Sequence, residues 1–282
     1  MLKYPNIDPV IFQVGPIAPR WYGLMYLMGF IYTYFLLKKY YRWLGLQTME
    51  VVDSILGSLV LGMLLCSRTI YVIFYNWSET MAGPWYEAFA VWHGGLAFHG
   101  GLLGVILASV YVSRKYKMPW LRLTDVLALA TPVGLGLGRI ANFINGELFG
   151  RATDVPWAMI FPNGGPSPRH PSQLYESFLE GFVLFWILRL VWWRKPRVGV
   201  TSAVFLLCYA LFRISVEFVR EPDAQVGFLL GGATMGQLLS VTMVLGGILL
   251  LKFTLSHGDK HDALLNAALA SDDKSKKDKK KK

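Results

Sequence analysis

Arg68, Arg139, Arg213, Glu217 and His99 each stand inside or at the edge of a long apolar stretch of the sequence. An ionisable side chain in such a place costs several kcal/mol to bury in hydrocarbon and marks a functional candidate by default. Arg68 lies in LLCSRTIYVIFY, Arg139 closes GLGLGRIANFINGE, and Arg213 shares FLLCYALFRISVEF with Glu217. Guanidinium stays charged at any accessible pH and offers a fork of donors that matches phosphate oxygens, so a phosphate ligand suits these arginines. The plain structural alternative is internal pairing. Arg213 and Glu217 are four apart and share a helix face, and Glu147 could fold back toward Arg139. Arg68 and Arg139 have no acidic residue three or four positions away inside the apolar stretch, so their partners lie elsewhere in the chain or on a ligand.

His99 and His93 each precede Gly-Gly in WHGGLAFHGGLLG. Gly100, Gly101 and Gly104 explain themselves as small residues that let helices approach closely. The imidazole of His99 is left over, and its neutral form could accept a thiol proton. After Arg139 come Asn142, Asn145, Glu147 and Arg151, amides and charges able to orient hydroxyls and arginine forks. Asn145-Gly146 also reads simply as a turn. Tyr22, Tyr26, Tyr175 and Tyr209 sit near the ends of apolar stretches, where aromatic residues line membrane interfaces. Cys66 and Cys208 are isolated in apolar surroundings, with no metal spacing and no disulfide signature. There is no GxSxG, no zinc spacing and no phosphate-cradling P-loop.

The elements that must position these residues follow from composition. The chain has 282 residues, 54% hydrophobic and 16% charged, against roughly a quarter charged in an ordinary soluble domain, and a mean hydropathy of +0.40. Seven apolar blocks approach the ~20 residues needed to cross a bilayer: 21–37, 51–75, 96–113, 123–141, 174–193, 199–219 and 234–253. The expected fold is therefore an all-α integral membrane protein, a bundle of seven transmembrane helices. The connectors 38–50, 114–122 and 194–198 are short and basic, and 76–95, 142–173 and 220–233 carry few cations. By the positive-inside rule the amino terminus is periplasmic and the carboxyl terminus cytoplasmic. Block 142–173 is too polar to span and too aromatic for a solvated loop, which predicts an irregular periplasmic cap lining a site. Residues 1–255 form the membrane domain in this reading, and 256–282 a basic, disordered tail ending KSKKDKKKK. Much of the net charge of +10 sits in the last stretch, Lys274 to Lys282, and gives no reason to expect nucleic acid. The amino terminus, broken by Pro5, Pro9 and Pro16, has no cleavable signal pattern.

The runs HGGLLG from His99, GRIANFINGELFGR from Gly138, RHPSQLYE from Arg169 and FRISVEFVREPDAQ from Phe212 together resemble the bacterial prolipoprotein diacylglyceryl transferase family. The likeness extends to DPVIFQVGPIAPRWYGLMY from Asp8 and MGQLLS from Met235, and so covers nearly everything but the lysine tail. It implies an enzyme of the bacterial inner membrane. That enzyme moves the diacylglyceryl group of phosphatidylglycerol onto the lipobox cysteine of a preprolipoprotein, forming a thioether and releasing glycerol phosphate, with no metal or soluble cofactor. It further implies that Arg139 and Arg213 are catalytic, stabilising the charge that gathers on the departing phosphate, that His99 is the base, and that Tyr22, Asn142, Glu147, Gly150, Tyr209 and Glu217 are site positions. Tyr26 and Asn145 join these as substrate-binding candidates. His93 lies outside the family pattern, and Ala141 stands where many relatives carry Gly. Two other classes compete. A transporter is disfavoured because residues 1–140 and 141–253 show no repeat, and a scaffold has no use for Arg68, Arg139, Arg213 and His99 within apolar segments.

Overall fold

The computed structural model describes residues 2–15, 18–91, 94–221, 234–257 and 259–260. The lysine tail and most of the connector 220–233 lie outside them. The described residues form helices and isolated β-bridges, without a strand. In chain order the helices are α1 (Trp21–Tyr40), α2 (Val51–Tyr75), α3 (Trp77–Ala82), α4 (Phe98–Lys115), α5 (Trp120–Ile144), α6 (Ser172–Glu176), α7 (Leu184–Trp193), α8 (Val200–Glu217) and α9 (Met235–His257), with a 3₁₀ turn at Trp85–Phe89. Helix α6 passes into α7 through a π turn, Ser177–Val183. All seven apolar blocks are thus helical. Among the described residues, α2, α5, α8 and α9 are long and apolar enough to cross a membrane.

The chain groups into two compact units. Tyr34–Thr124 makes one of them, and its helices α2 and α4 pack against each other. Glycine is what permits this. A Cβ on Gly100 would lie 2.5 Å from the Cys66 carbonyl oxygen, and one on Gly104 would overlap the backbone of Gly62. Such small-residue contacts let van der Waals packing drive helix association where there is no water to expel.

Arg68, whose partner the sequence left open, is satisfied within this unit. Its Nε donates to Ala88 O at 3.1 Å and its Nη1 to Gly94 O at 2.7 Å and Gly95 O at 3.2 Å. Its Nη2 donates to Glu87 O and lies 3.8 Å from the Glu87 carboxylate. Beside it, Ser67 Oγ donates to Ala97 O at 2.7 Å. Arg68 is therefore a brace for the backbone leading into α4, and its fork is taken up by carbonyls.

The other unit contains the chain up to Thr33 and from Asp125 onward. Helices α1 and α5 come within backbone contact, a Cβ on Gly29 meeting the Gly134 Cα at 3.3 Å. Helix α8 packs on α9, and its amino end is tied to α5 by Asp125, which accepts from Gly199 N at 2.6 Å and from Ser202 N and Oγ at 2.8 and 2.7 Å. Those bonds satisfy donors that the first turn of a helix otherwise leaves bare.

Between α5 and α6 the backbone is irregular yet organised. Gly146, at φ 65°, turns the chain out of α5. Tyr4, Phe143, Met159 and Phe161 make a small apolar core, with Phe149 and Leu174 packed on it. Tyr4 Oη donates to the carbonyls of Phe143 and Ile144 at 2.7 and 3.0 Å. Both carbonyls lie in the last turn of α5, where Phe143 O also accepts from Gly146 N at 3.0 Å, so the hydroxyl reinforces the helix end while the ring joins the apolar core. The segment 142–173 thus shares a small core with Tyr4, and its first three residues belong to α5.

Candidate functional site

The site grows from a glycine contact. On α5 Gly136 meets Gly181 of the π turn so closely that a Cβ on Gly181 would lie 2.7 Å from the Gly136 Cα, and Ser177 Oγ donates to Gly136 O at 3.0 Å. With the two backbones touching, Arg139, one turn beyond Gly136, reaches carboxylates on the facing helix. These are Glu176 and Glu180, one helical step of four apart and both fully buried. The π turn that carries Glu180 is a departure from α geometry of the kind often found at functional sites.

Glu176 is the hub. Its Oε2 lies 2.9 Å from Arg139 Nε. Its Oε1 pairs with Arg213 Nη1 and, at 3.0 Å, with Arg220 Nη1. Arg213 Nη2 lies 3.0 Å from Glu217 Oε2, and Glu180 Oε2 is 3.8 Å from Arg139 Nε. Three guanidinium groups therefore face the carboxyls of Glu176, Glu180 and Glu217. A carboxylate withdrawn from water is tolerated only when opposite charge and hydrogen bonds compensate it, and Glu176 has three arginines to do so.

The two arginines singled out by the sequence differ in what they leave free. Arg213 commits both terminal nitrogens, one to Glu176 and one to Glu217. Arg139 meets Glu176 and Glu180 through Nε, and its Nη1 and Nη2 make no hydrogen bond with a described residue. Arg139 therefore keeps an unengaged fork, while its side chain is 18% exposed.

Glu147 makes no ion pair with Arg139 among the described residues. Its Oε1 instead accepts from Asn142 Nδ2 at 2.8 Å and Asn145 Nδ2 at 3.0 Å. Gln173 Nε2 donates to the Glu147 backbone carbonyl at 2.6 Å, which ties this acidic turn to α6. The Tyr22 hydroxyl is 3.2 Å from that of Tyr26. Tyr209 lies one turn before Arg213 on α8, its ring stacked with that of Phe205 at 5.8 Å.

Gly150 has a steric role. A Cβ there would lie 2.5 Å from Val219 O and 2.7 Å from the His170 Cβ. The bare backbone lets Gly150 N donate to His170 O at 2.8 Å and Arg151 N to Val219 O at 2.8 Å. Arg151 Nε then donates to Arg220 O at 2.9 Å. The segment around Gly150 is thereby tied to the chain just after α8, where Arg220 reaches Glu176. Within the cap Trp157 Nε1 donates to Tyr175 Oη at 2.6 Å, and Tyr175 Oη is 3.2 Å from His170 Nδ1. Indole can only donate, so the tyrosine proton is directed at the imidazole; burial lowers the His170 pKa and favours the neutral ring that accepts it.

His99 belongs to the other unit. It lies exposed in the first turn of α4, its ring 5.8 Å from that of Phe98. The structure thus gathers Arg139, Arg213 and Glu217 around Glu176, while Asn142 and Asn145 are bonded to Glu147 at the end of α5. Sequence reasoning passed over Glu176, Glu180 and Arg220. The signal was present, because Glu176 and Glu180 lie in the apolar run SQLYESFLEGFVLF at a spacing of four, and the rule that flagged the arginines applies to them equally.

Residues 9–253 match the family described as prolipoprotein diacylglyceryl transferase. A phosphatidylglycerol–prolipoprotein diacylglyceryl transferase of Geobacter sulfurreducens is 54% identical over 248 residues, 88% of this chain and 95% of the relative. Proteins of the same description from Vibrio cholerae and Vibrio vulnificus are 52% and 51% identical over 260 and 264 residues. These alignments cover 91% and 93% of this chain and 95% and 96% of the relatives.

Proposed function

The chain belongs to the prolipoprotein diacylglyceryl transferase family, and we propose that it transfers the diacylglyceryl group of phosphatidylglycerol to a prolipoprotein with Arg139 as the phosphate-binding cation. The observation that carries this role is the fork of Arg139, paired through Nε with Glu176 while its terminal nitrogens make no hydrogen bond with a described residue. Such a fork donates to two phosphate oxygens without side-chain reorganisation. Arg213 and Arg220 act from behind, holding Glu176 in place and keeping the cluster close to neutral before substrate enters.

The reaction is a displacement. The lipobox cysteine sulfur attacks the glycerol carbon that bears the phosphate ester, the C–S bond forms as the C–O bond breaks, and glycerol phosphate leaves with the bonding electron pair. Negative charge gathers on the departing phosphate, and a cation already in position stabilises it most at that moment. The thiol must lose its proton, since thiolate is the nucleophile; the family resemblance gives that proton to His99. Asn142, Asn145, Glu147, Tyr22, Tyr26, Tyr209, Glu217 and Gly150 are assigned to substrate binding, Gly150 through the backbone it allows to approach.

The seven helical segments are assigned as seven spans in the bacterial inner membrane, with residues 1–255 the transferase part. The basic connectors lie in the cytoplasm and the cap on the periplasmic side. The deciding experiment incubates the purified chain with phosphatidylglycerol vesicles and a lipobox peptide. The peptide should gain the mass of one diacylglyceryl group, and glycerol phosphate should appear in equal amount. Arg139→Gln should abolish the gain while the protein still inserts, and Arg139→Lys should restore little, an ammonium having no fork. Parental transfer by Arg139→Gln would refute the assignment.

A further inference from the structure

Glu180 has no task in the reaction described above, yet its position is among the most costly in the molecule. It sits on the π turn, fully buried. Neither of its carboxyl oxygens makes a hydrogen bond with any described residue. The cation within ion-pair distance is Arg139, at 3.8 Å from Nε. A polar group hidden from water without hydrogen bonds is a standing penalty, and that penalty needs a compensating role.

The geometry of Arg139 supplies one. An arginine facing a single carboxylate gains most by turning two nitrogens onto it, as parallel N–H···O bonds. Here that would draw a terminal nitrogen of Arg139 onto Glu176 and consume the fork. Instead Glu176 at 2.9 Å and Glu180 at 3.8 Å approach the same Nε. Two carboxyls approach the guanidinium at Nε, and the terminal nitrogens make no hydrogen bond with a described residue. The Gly136–Gly181 contact fixes the distance from which they act, since Gly181 directly follows Glu180.

We infer that Glu180 is a positioning residue for the transfer, acting through Arg139 by fixing its Nε edge so that the terminal fork stays available to the phosphate of the lipid substrate. This rests on the reading of Arg139 as the phosphate ligand.

The test compares full-length parent, Glu180→Gln, Glu180→Asp and Arg139→Gln in phosphatidylglycerol vesicles, recording thermal stability together with kcat and KM for the lipid. Glu180→Gln keeps the shape and removes a buried charge, so stability should stay at or above the parental value. Its KM for phosphatidylglycerol should rise about tenfold, the size of one lost charge-assisted contact, with a smaller change in kcat. Glu180→Asp, a methylene further from Arg139, should fall between parent and Gln. A stable Glu180→Gln with parental KM would overturn the inference, as would lowered stability with unchanged KM in the surviving fraction. If Glu180→Gln does not accumulate, a parental KM for Glu180→Asp overturns it instead. Arg139→Gln separates the two levels. Should it keep parental KM and kcat, the phosphate reading itself fails; should it be crippled while Glu180→Gln is unaffected, only the role of Glu180 is lost.

Discussion

Replacing Glu176 by Gln should do more damage than any other single change in the charged cluster. The substitution keeps the shape of the side chain and removes the one carboxylate shared by Arg139, Arg213 and Arg220. Breaking a buried ion pair by deleting one partner costs ~3–5 kcal/mol, because the remaining charge stays buried without compensation. Arg213 retains Glu217 and Arg139 retains Glu180 at 3.8 Å, so the cost should stay near that range and not triple. For a chain of this size each kcal/mol corresponds to about 2–4 °C, which predicts a fall in Tm on the order of 10 °C. Glu217→Gln provides the internal scale. It removes one contact of 3.0 Å at a guanidinium that keeps Glu176, so its Tm should fall by less than half as much. The assay is thermal unfolding of each purified variant in one detergent, followed by tryptophan fluorescence, with diacylglyceryl transfer measured on the same preparation. A Glu176→Gln variant as stable as the parent, or less affected than Glu217→Gln, would show that Glu176 is not the hub.

Gly100→Ala should lower folded yield and cost about 1–3 kcal/mol, since its Cβ would lie 2.5 Å from Cys66 O; Gly57→Ala on α2, with nothing within 4 Å, should be neutral, and equal effects of the two in an unfolding assay would contradict the backbone contact. Single cysteines at Lys39 and Lys115 should resist an impermeant thiol reagent applied to the periplasmic face, and rapid labelling of either would invert the assigned topology. Deleting Lys276 to Lys282 should leave transfer at close to the parental rate, and a truncated protein that inserts normally but turns over poorly would give the tail a function.

The amino-acid sequence determined on its own what depends on local composition. The seven apolar blocks became helices because a segment surrounded by hydrocarbon or packed protein must satisfy its own backbone groups. Gly100 and Gly104 marked a close contact because no other residue lacks a Cβ. Arg139, Arg213 and Glu217 stood out because charge in an apolar run is expensive, and the motif resemblance supplied the reaction. What the tertiary structure decided is who faces whom. The pair Arg213–Glu217 was legible because a helix repeats every 3.6 residues. The bonds of Arg139 to Glu176, 37 positions away, and of Arg68 to the carbonyls of Glu87, Ala88, Gly94 and Gly95 were not. No periodicity reaches across a loop, and an arginine in the sequence looks the same whether its fork is spent on backbone, shared among carboxylates or left open. Only the approach of Gly136 to Gly181 brings Glu176 and Glu180 to one edge of Arg139. The free fork follows from that packing, since ion pairs form wherever the backbones set opposite charges within reach.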